Sequence, residues 1–292
     1  MGAFGNVYKG VLNKTGRLVA IKQMKRKDDS LKEWDVMAKL AGHPHILRAI
    51  ALVERPTHVT YVLELAKGGD LFSYAEDKGF EVPEEEAQGI VRQIVAALLH
   101  INKCGIAHLD LKLENVLFQD KNHSHILLAD FGAAEVLGES SAPITRPVGT
   151  PRYMAPEVLR CCPKAKGIVD EDVPHGFGML SDNWSLGVLV YVLLHGRFPF
   201  AADGQAQNSR DLLQGILHQR TPFAEATEQS RCSADARDFI NRLLQISPAR
   251  RMTLAEACKH PWLKGAQAGK HSLDDPASGS SSTQSGKRPR LG

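Results

Sequence analysis

The chain has 292 residues, is 43% hydrophobic and carries a formal net charge of +3. That size and apolar content suffice to bury a substantial core and to build two lobes or domains. The charge is too small to suggest a nucleic-acid-binding surface, which needs a strong basic bias. Cysteine number is 5, and the adjacent Cys161 and Cys162 cannot readily bridge each other, so a reduced intracellular protein is expected. The close pairs His43/His45 and His123/His125 have no cysteine or carboxylate at zinc-ligand spacing and read as loop histidines. Met1 to Gly5 offers no charged-then-apolar leader, and Met1-Gly2 followed by Asn6 lacks the Ser or Thr of a myristoylation signal. The longest apolar run, Leu186 to Leu194, is too short to span a bilayer. A soluble, cytoplasmic protein with no membrane or nucleic-acid partner is expected.

Val7 to Leu12 and Arg17 to Lys22 are β-rich and separated by Asn13-Lys14-Thr15-Gly16, which predicts an antiparallel hairpin. Ser30-Leu31-Lys32-Glu33 predicts a helix start with a capping box, and Trp34, Met37, Leu40 and Ala41 recur at helical spacing. Gly42, His43 and Pro44 stop that helix. Two strand-like runs follow, Ile46 to Val53 and His58 to Leu65, before Gly68-Gly69 breaks the pattern. Helices dominate from there. Pro83-Glu84-Glu85-Glu86 starts one, with Ile90, Ile94, Ala97 and Ile101 along one face and Lys103 with Gly105 at its end. Ser181-Asp182-Asn183-Trp184 opens another, apolar almost all round through Leu194, and such a helix belongs at the centre of a globule. Asp211 to His218, Ala234 to Leu244 and Leu254 to Lys259 give three more. Beyond Gly265 the composition shifts to Gly, Ser and Gln, as in a disordered tail, and Lys287-Arg288-Pro289-Arg290 forms a basic end that doubles as a weak candidate nuclear address. No internal repeat is evident.

The chemistry concentrates in His108-Leu109-Asp110-Leu111-Lys112-Leu113-Glu114-Asn115 and in Asp130-Phe131-Gly132. These segments bring a base, a phosphate-binding cation and two magnesium ligands to one loop and the next strand end. Phosphoryl transfer needs that set, because its barrier falls mainly through positioning and neutralisation of phosphate charge. The chain here resembles the eukaryotic protein kinase family, whose catalytic loop reads H-R-D-x-K-x-x-N and whose magnesium loop reads D-F-G. Leu109 replaces the family's usual Arg. Val19-Ala20-Ile21-Lys22 is similar to the V-A-I-K strand, and Gly149-Thr150-Pro151-Arg152-Tyr153-Met154-Ala155-Pro156-Glu157 to the end of the activation segment. Gly2-Ala3-Phe4-Gly5-Asn6-Val7 resembles the later part of the glycine-rich loop, without the first glycine or the strand before it.

The resemblance implies an α+β, two-lobed protein kinase fold over residues 1–263. A small, mainly antiparallel β lobe with one regulatory helix would occupy 1–65, a larger, mainly helical lobe 66–263, and a tail 264–292. Lys112 two residues after Asp110, with Gly149-Thr150-Pro151, implies the serine/threonine type. Leu193-Leu194-His195-Gly196-Arg197-Phe198-Pro199-Phe200 and His260-Pro261-Trp262 look like the calcium/calmodulin-dependent kinase group, although the tail after Trp262 offers few apolar anchors for calmodulin. ATP and Mg²⁺ are the implied cofactors. Gly2, Gly5 and Val7 of the glycine-rich loop, Ala20 and Lys22 of the V-A-I-K strand, and the backbone of Glu64 and Ala66 would bind nucleotide. Asp70 would face the ribose or a basic substrate side chain. Asp110 would be the base, Lys112 would neutralise the transferring phosphoryl group, and Asn115 and Asp130 would ligate magnesium. Glu33 has two open roles, partner of Lys22 or N3 carboxylate of its own helix, and the ion pair is the expected one with ATP bound.

Glu157 is expected to pair with Arg251, and Asp182 to accept from the catalytic-loop backbone. Asp70 and Glu114 imply a protein substrate with Arg near the acceptor residue. Arg160 to Leu180 is about a dozen residues longer than the family usually has at this point. Leu109, with Arg146 where a phosphorylated Thr would be expected, implies control without activation-segment phosphorylation; Ser140, Ser141 and Thr145 are the remaining acceptors. The alternative reading is a pseudokinase or scaffold that binds nucleotide or partners with little phosphotransfer.

Overall fold

Alternation of side-chain burial along 58–64 sets up the first layer: Val59, Tyr61 and Leu63 are buried while their neighbours are half exposed. The computed structural model describes residues 6–26, 31–137, 143–200, 208–223 and 232–268. In it, β1 (Asn6–Val11), β2 (Leu18–Lys25), β3 (Ala49–Glu54) and β4 (His58–Glu64) form an antiparallel sheet in the order β1-β2-β4-β3. The hairpin register pairs Val7 with Lys22, and Lys22 with Tyr61 on its other side. Lys22 thereby starts from the middle of the sheet.

Helix α1 (Lys32–Lys39) packs Val36, Met37 and Leu40 into the core. Its cap is Leu31, which makes no side-chain cap hydrogen bond, and Ser30 lies outside the described residues. The Glu33 carboxylate is turned to Lys22 instead, which decides between the two roles open to it.

After the sheet come α2 (Leu71–Asp77) and α3 (Glu84–Lys103), then β5 (Ile106–Ala107), β6 (Val116–Phe118), β7 (Ile126–Leu128) and β8 (Glu135–Val136). These short strands pair as β5-β8 and β6-β7, and they bracket the two polar loops of the sequence. Helix α4 (Pro156–Arg160) precedes the central α5 (Leu180–His195), in which every residue from Ser181 onward is buried. The absence of a polar face thus has its reason: α5 is enclosed on all sides, among them by α3 and by α7 (Ala234–Leu243). Helices α6 (Ser209–Gln219), α8 (Leu254–Ala257) and α9 (Pro261–Ala268) complete the second layer. Several boundaries differ from expectation: β3 starts at Ala49 rather than Ile46, and α6 runs Ser209–Gln219 rather than Asp211 to His218. Helix α8 ends at Ala257, and α9 continues the helical part to Ala268, four residues past Lys264, because Trp262 and Leu263 are buried and anchor it. The remainder of the expected tail lies outside the described residues.

Among the described residues, no helix is long and apolar enough to cross a membrane.

Candidate active site

The catalytic-loop sequence alternates apolar and polar residues for a structural reason. Leu109, Leu111 and Leu113 are buried and root the loop in the core, which leaves Asp110, Lys112 and Asn115 to converge on one another. Asp182 fixes the start of the loop. Fully buried at the beginning of α5, it accepts from the backbone N–H of His108 at 2.7 Å and of Leu109 at 2.8 Å. Burial pushes its carboxyl up, opposed by His108 and by those two N–H groups. Leu109 sits at φ 62°, a left-handed conformation rare for a branched residue, and this twist turns the loop toward Asp110.

Asp110 is 4% exposed, and both of its oxygens are engaged. Thr150 Oγ1 donates to Oδ1 at 2.7 Å, and Lys112 Nζ donates to Oδ2 at 2.9 Å while also reaching Thr150 Oγ1 at 3.0 Å. Asn115 Nδ2 donates to the Asp110 carbonyl at 2.7 Å. The amide nitrogen of Asn115 is thus occupied, and its oxygen is the atom left to meet a cation.

Lys22, Glu33 and Asp130 form a second cluster. Lys22 Nζ lies 2.8 Å from Glu33 Oε1 and 2.9 Å from Asp130 Oδ1. Burial works against the Lys22 charge, but Glu33 and Asp130 outweigh it and hold its pKa above the ordinary 10.5. Asp130 is at φ 62°, and Phe131 behind it is buried with its ring 5.0 Å from that of His108. The two sequence-distant loops are locked together through that ring pair. A carboxylate and an amide oxygen are hard donors of the kind Mg²⁺ takes, so this donor set fits the cation implied by the sequence.

The other candidates divide. Glu64 ends β4, donating its N–H to the Arg48 carbonyl at 3.0 Å and accepting the Arg48 N–H on its carboxylate at 2.6 Å; Ala66 follows just past the strand, half-buried. Ala20 is half-buried on β2, and Val7 is exposed on β1. Asp70 caps α2, accepting from Ser73 N–H at 2.8 Å and Ser73 Oγ at 3.0 Å, a role that sequence reasoning missed although Asp is a preferred N-cap. Gly2 and Gly5 lie outside the described residues, as do Ser140 and Ser141.

Glu157 and Arg251 form the expected buried pair, Nη1 to Oε1 at 2.8 Å and Nη2 to Oε2 at 3.1 Å, with both side chains at most 2% exposed. Arg251 also donates to the Leu180 and Gln245 carbonyls, so its remaining N–H groups are satisfied.

One charged group went unmarked in the sequence. Glu135 on β8 ion-pairs with Arg146 and holds Lys32 of α1 at 2.5 Å. No motif announces it, since its partners are brought near only by folding.

The sequence pattern described as "Protein kinase domain" matches residues 1–263. Serine/threonine-protein kinase RAD53 of Saccharomyces cerevisiae is 36% identical over 94% of this chain and 33% of its own length. A probable myosin light chain kinase of Dictyostelium discoideum is 35% identical over 90% of this chain and 79% of its own. Calcium/calmodulin-dependent protein kinase cmkA of Emericella nidulans is 37% identical over 82% of this chain and 54% of its own. The chain thus spans a third of the first relative and about half of the third.

Proposed function

The chain belongs to the protein kinase family, its relatives being serine/threonine kinases, and from that premise we propose that it transfers the γ-phosphoryl group of Mg-ATP to a protein hydroxyl. The observation that carries this reading is the convergence of Asp110, Lys112, Asn115 and Thr150 in one hydrogen-bonded group, with Lys22 paired to both Glu33 and Asp130. Closely placed buried charges are costly to assemble, and a scaffold that transfers no phosphate has no use for them.

The geometry supports the following roles within this reading. Asp110 receives the proton of the substrate hydroxyl, its carboxylate aimed by Thr150 and Lys112. Lys112 lies beside it as the cation that offsets charge on the transferring group. Lys22, oriented by Glu33, binds the nucleotide phosphates, and Asp130 with Asn115 would hold magnesium. Magnesium held there would supply neutralisation of phosphate charge. Gly2, Gly5, Val7, Ala20 and the backbone of Glu64 and Ala66 complete the nucleotide site. Asp70 and Glu114 supply negative charge for an Arg of the protein substrate, and calmodulin has no part in this reading. The kinase unit is assigned to 1–263, as 1–65 and 66–263, in the cytoplasm.

The test is radiolabel transfer from Mg-ATP to an Arg-containing peptide, with Asp110→Asn as control. Transfer that Asp110→Asn abolishes supports the reading. Absence of transfer with retained nucleotide binding favours the pseudokinase alternative.

A further inference from the structure

Residues 161–179, which join α4 to α5, are held from both sides. Arg210 at the start of α6 donates to the carbonyls of Lys164 at 2.8 Å and Lys166 at 2.7 Å. Arg220, just past the end of α6, reaches Asp170 at 3.2 Å and Asp172 at 3.6 Å. Arg160 donates to the Val173 carbonyl, and Ala165, Val173 and Phe177 are buried. A long connection fastened by three arginines and by four buried side chains, Cys162 included, is part of the scaffold rather than a free loop.

Its far end touches the segment that leads to Thr150. Ile144 N–H donates to the Phe177 carbonyl at 3.1 Å, and Phe177 N–H donates to the Ile144 carbonyl at 3.0 Å. This is a hydrogen-bonded antiparallel pair, in which two residues exchange both backbone bonds. Gly176 makes the approach possible. At φ 101° it lies so near that an added Cβ would stand 2.7 Å from Pro143 Cβ and 3.3 Å from the Ile144 carbonyl oxygen. Two residues further on, Arg146 pairs with Glu135, whose carboxylate also holds Lys32, the neighbour of Glu33 on α1.

We propose that Phe177 and Ile144 are positioning residues: the 161–179 connection acts as a fixed strand that holds the Thr150 segment in its productive place, with no phosphate needed as a clamp. This rests on the kinase reading above. The mechanical path is continuous. Helix α6 fastens the connection, the Ile144–Phe177 pair fastens the segment, and Thr150, six residues beyond Ile144, is hydrogen-bonded to Asp110. Because the link is backbone to backbone, it fixes position in two directions and does not depend on charge or on modification. The Arg146–Glu135–Lys32 contacts extend the same restraint to the helix that carries Glu33.

The experiment has two arms on the full chain. In the wild type, hydrogen exchange should find the amides of Ile144 and Phe177 protected and opening together. Phe177→Pro and Ile144→Pro each delete one donor of the pair, and Phe177→Leu keeps both. The Pro variants should lose about ten- to a hundredfold in kcat/KM for peptide, the cost of slight misplacement at a reaction centre. KM for ATP should stay within about twofold, and Phe177→Leu should behave as wild type. Exchange in 143–149 should accelerate in the Pro variants. Unprotected amides at 144 and 177 in the wild type, or folded Pro variants with wild-type peptide kinetics, would overturn the proposal. If the wild type phosphorylates no peptide, the kinase reading fails by itself, while the exchange arm still decides whether the pair exists.

Discussion

The carbonyl oxygen of Leu109 occupies the space beside Gly149 where any side chain would have to go: a Cβ added there would lie 2.2 Å from it. Gly149 is at φ 97°, so both its conformation and its surroundings exclude other residues. The end of the activation segment therefore rests directly on the backbone of the catalytic loop. Gly149→Ala should push Thr150 away from Asp110 and lower kcat/KM for peptide by about tenfold or more. Steady-state kinetics together with a melting curve will check this, and an Ala variant as active as wild type would show that the contact is not limiting.

Asp110→Asn should reduce turnover by about two to four orders of magnitude, the usual worth of a positioned acid–base group. Asp130→Ala should abolish magnesium-dependent ATP binding while far-ultraviolet circular dichroism stays unchanged. Titration calorimetry with and without Mg²⁺ separates the two effects. Turnover near wild type in either variant would sink the assignment.

Arg251→Ala would leave Glu157 charged, buried and unpaired, and should cost about 3–5 kcal/mol of stability. Arg251→Lys keeps the charge but not the planar fork that meets both carboxylate oxygens, so it should recover only part of the loss. Urea unfolding measures both. A change below about 1 kcal/mol for the Ala variant would mean that the surroundings relax and hydrate the carboxylate.

Glu114 is exposed beside the catalytic loop, whereas the Asp70 carboxylate also caps α2. Both should favour peptides with Arg near the acceptor, through bidentate contacts with the guanidinium. Glu114→Ala should weaken that preference without a change in melting. Asp70→Ala should weaken it and also lose about 1 kcal/mol of capping, while Asp70→Asn keeps the cap and loses only the charge. Equal rates on acidic and basic peptide libraries would argue against this surface.

Leu109 is 7% exposed and lines a pocket with Val148, Met154 and Val158 that no Lys or Arg among the described residues enters, so the position offers a phosphate no cation. Arg146 is already paired with Glu135, and Thr145 is exposed beside it. Activity should therefore survive phosphatase treatment and Thr145→Ala, and protein from a kinase-free host should match protein from its native cell. A gain of about tenfold or more on activation-segment phosphorylation would contradict this.

The sequence by itself carried the family and the four strands of the first sheet with the longer helices, though not α2, α4, α9 or the short strands β5 to β8, and it marked the polar residues of the two loops. Phosphate chemistry demands particular residue types at fixed spacing, and residues such as Asp110, Lys112 and Asn115 are close in the chain as well as in space. It also placed α5 at the centre, because a helix apolar on every side has nowhere else to go. Tertiary structure alone decided the rest. A carboxylate at position 33 can cap its helix or meet a lysine, and only the packing of α1 against the sheet selects Lys22. Glu135 gains Arg146 and Lys32 as partners because folding brings three ordinary surface charges together. The Ile144–Phe177 pair is made wholly of backbone groups, which every residue except proline carries, so no side-chain pattern could have announced it.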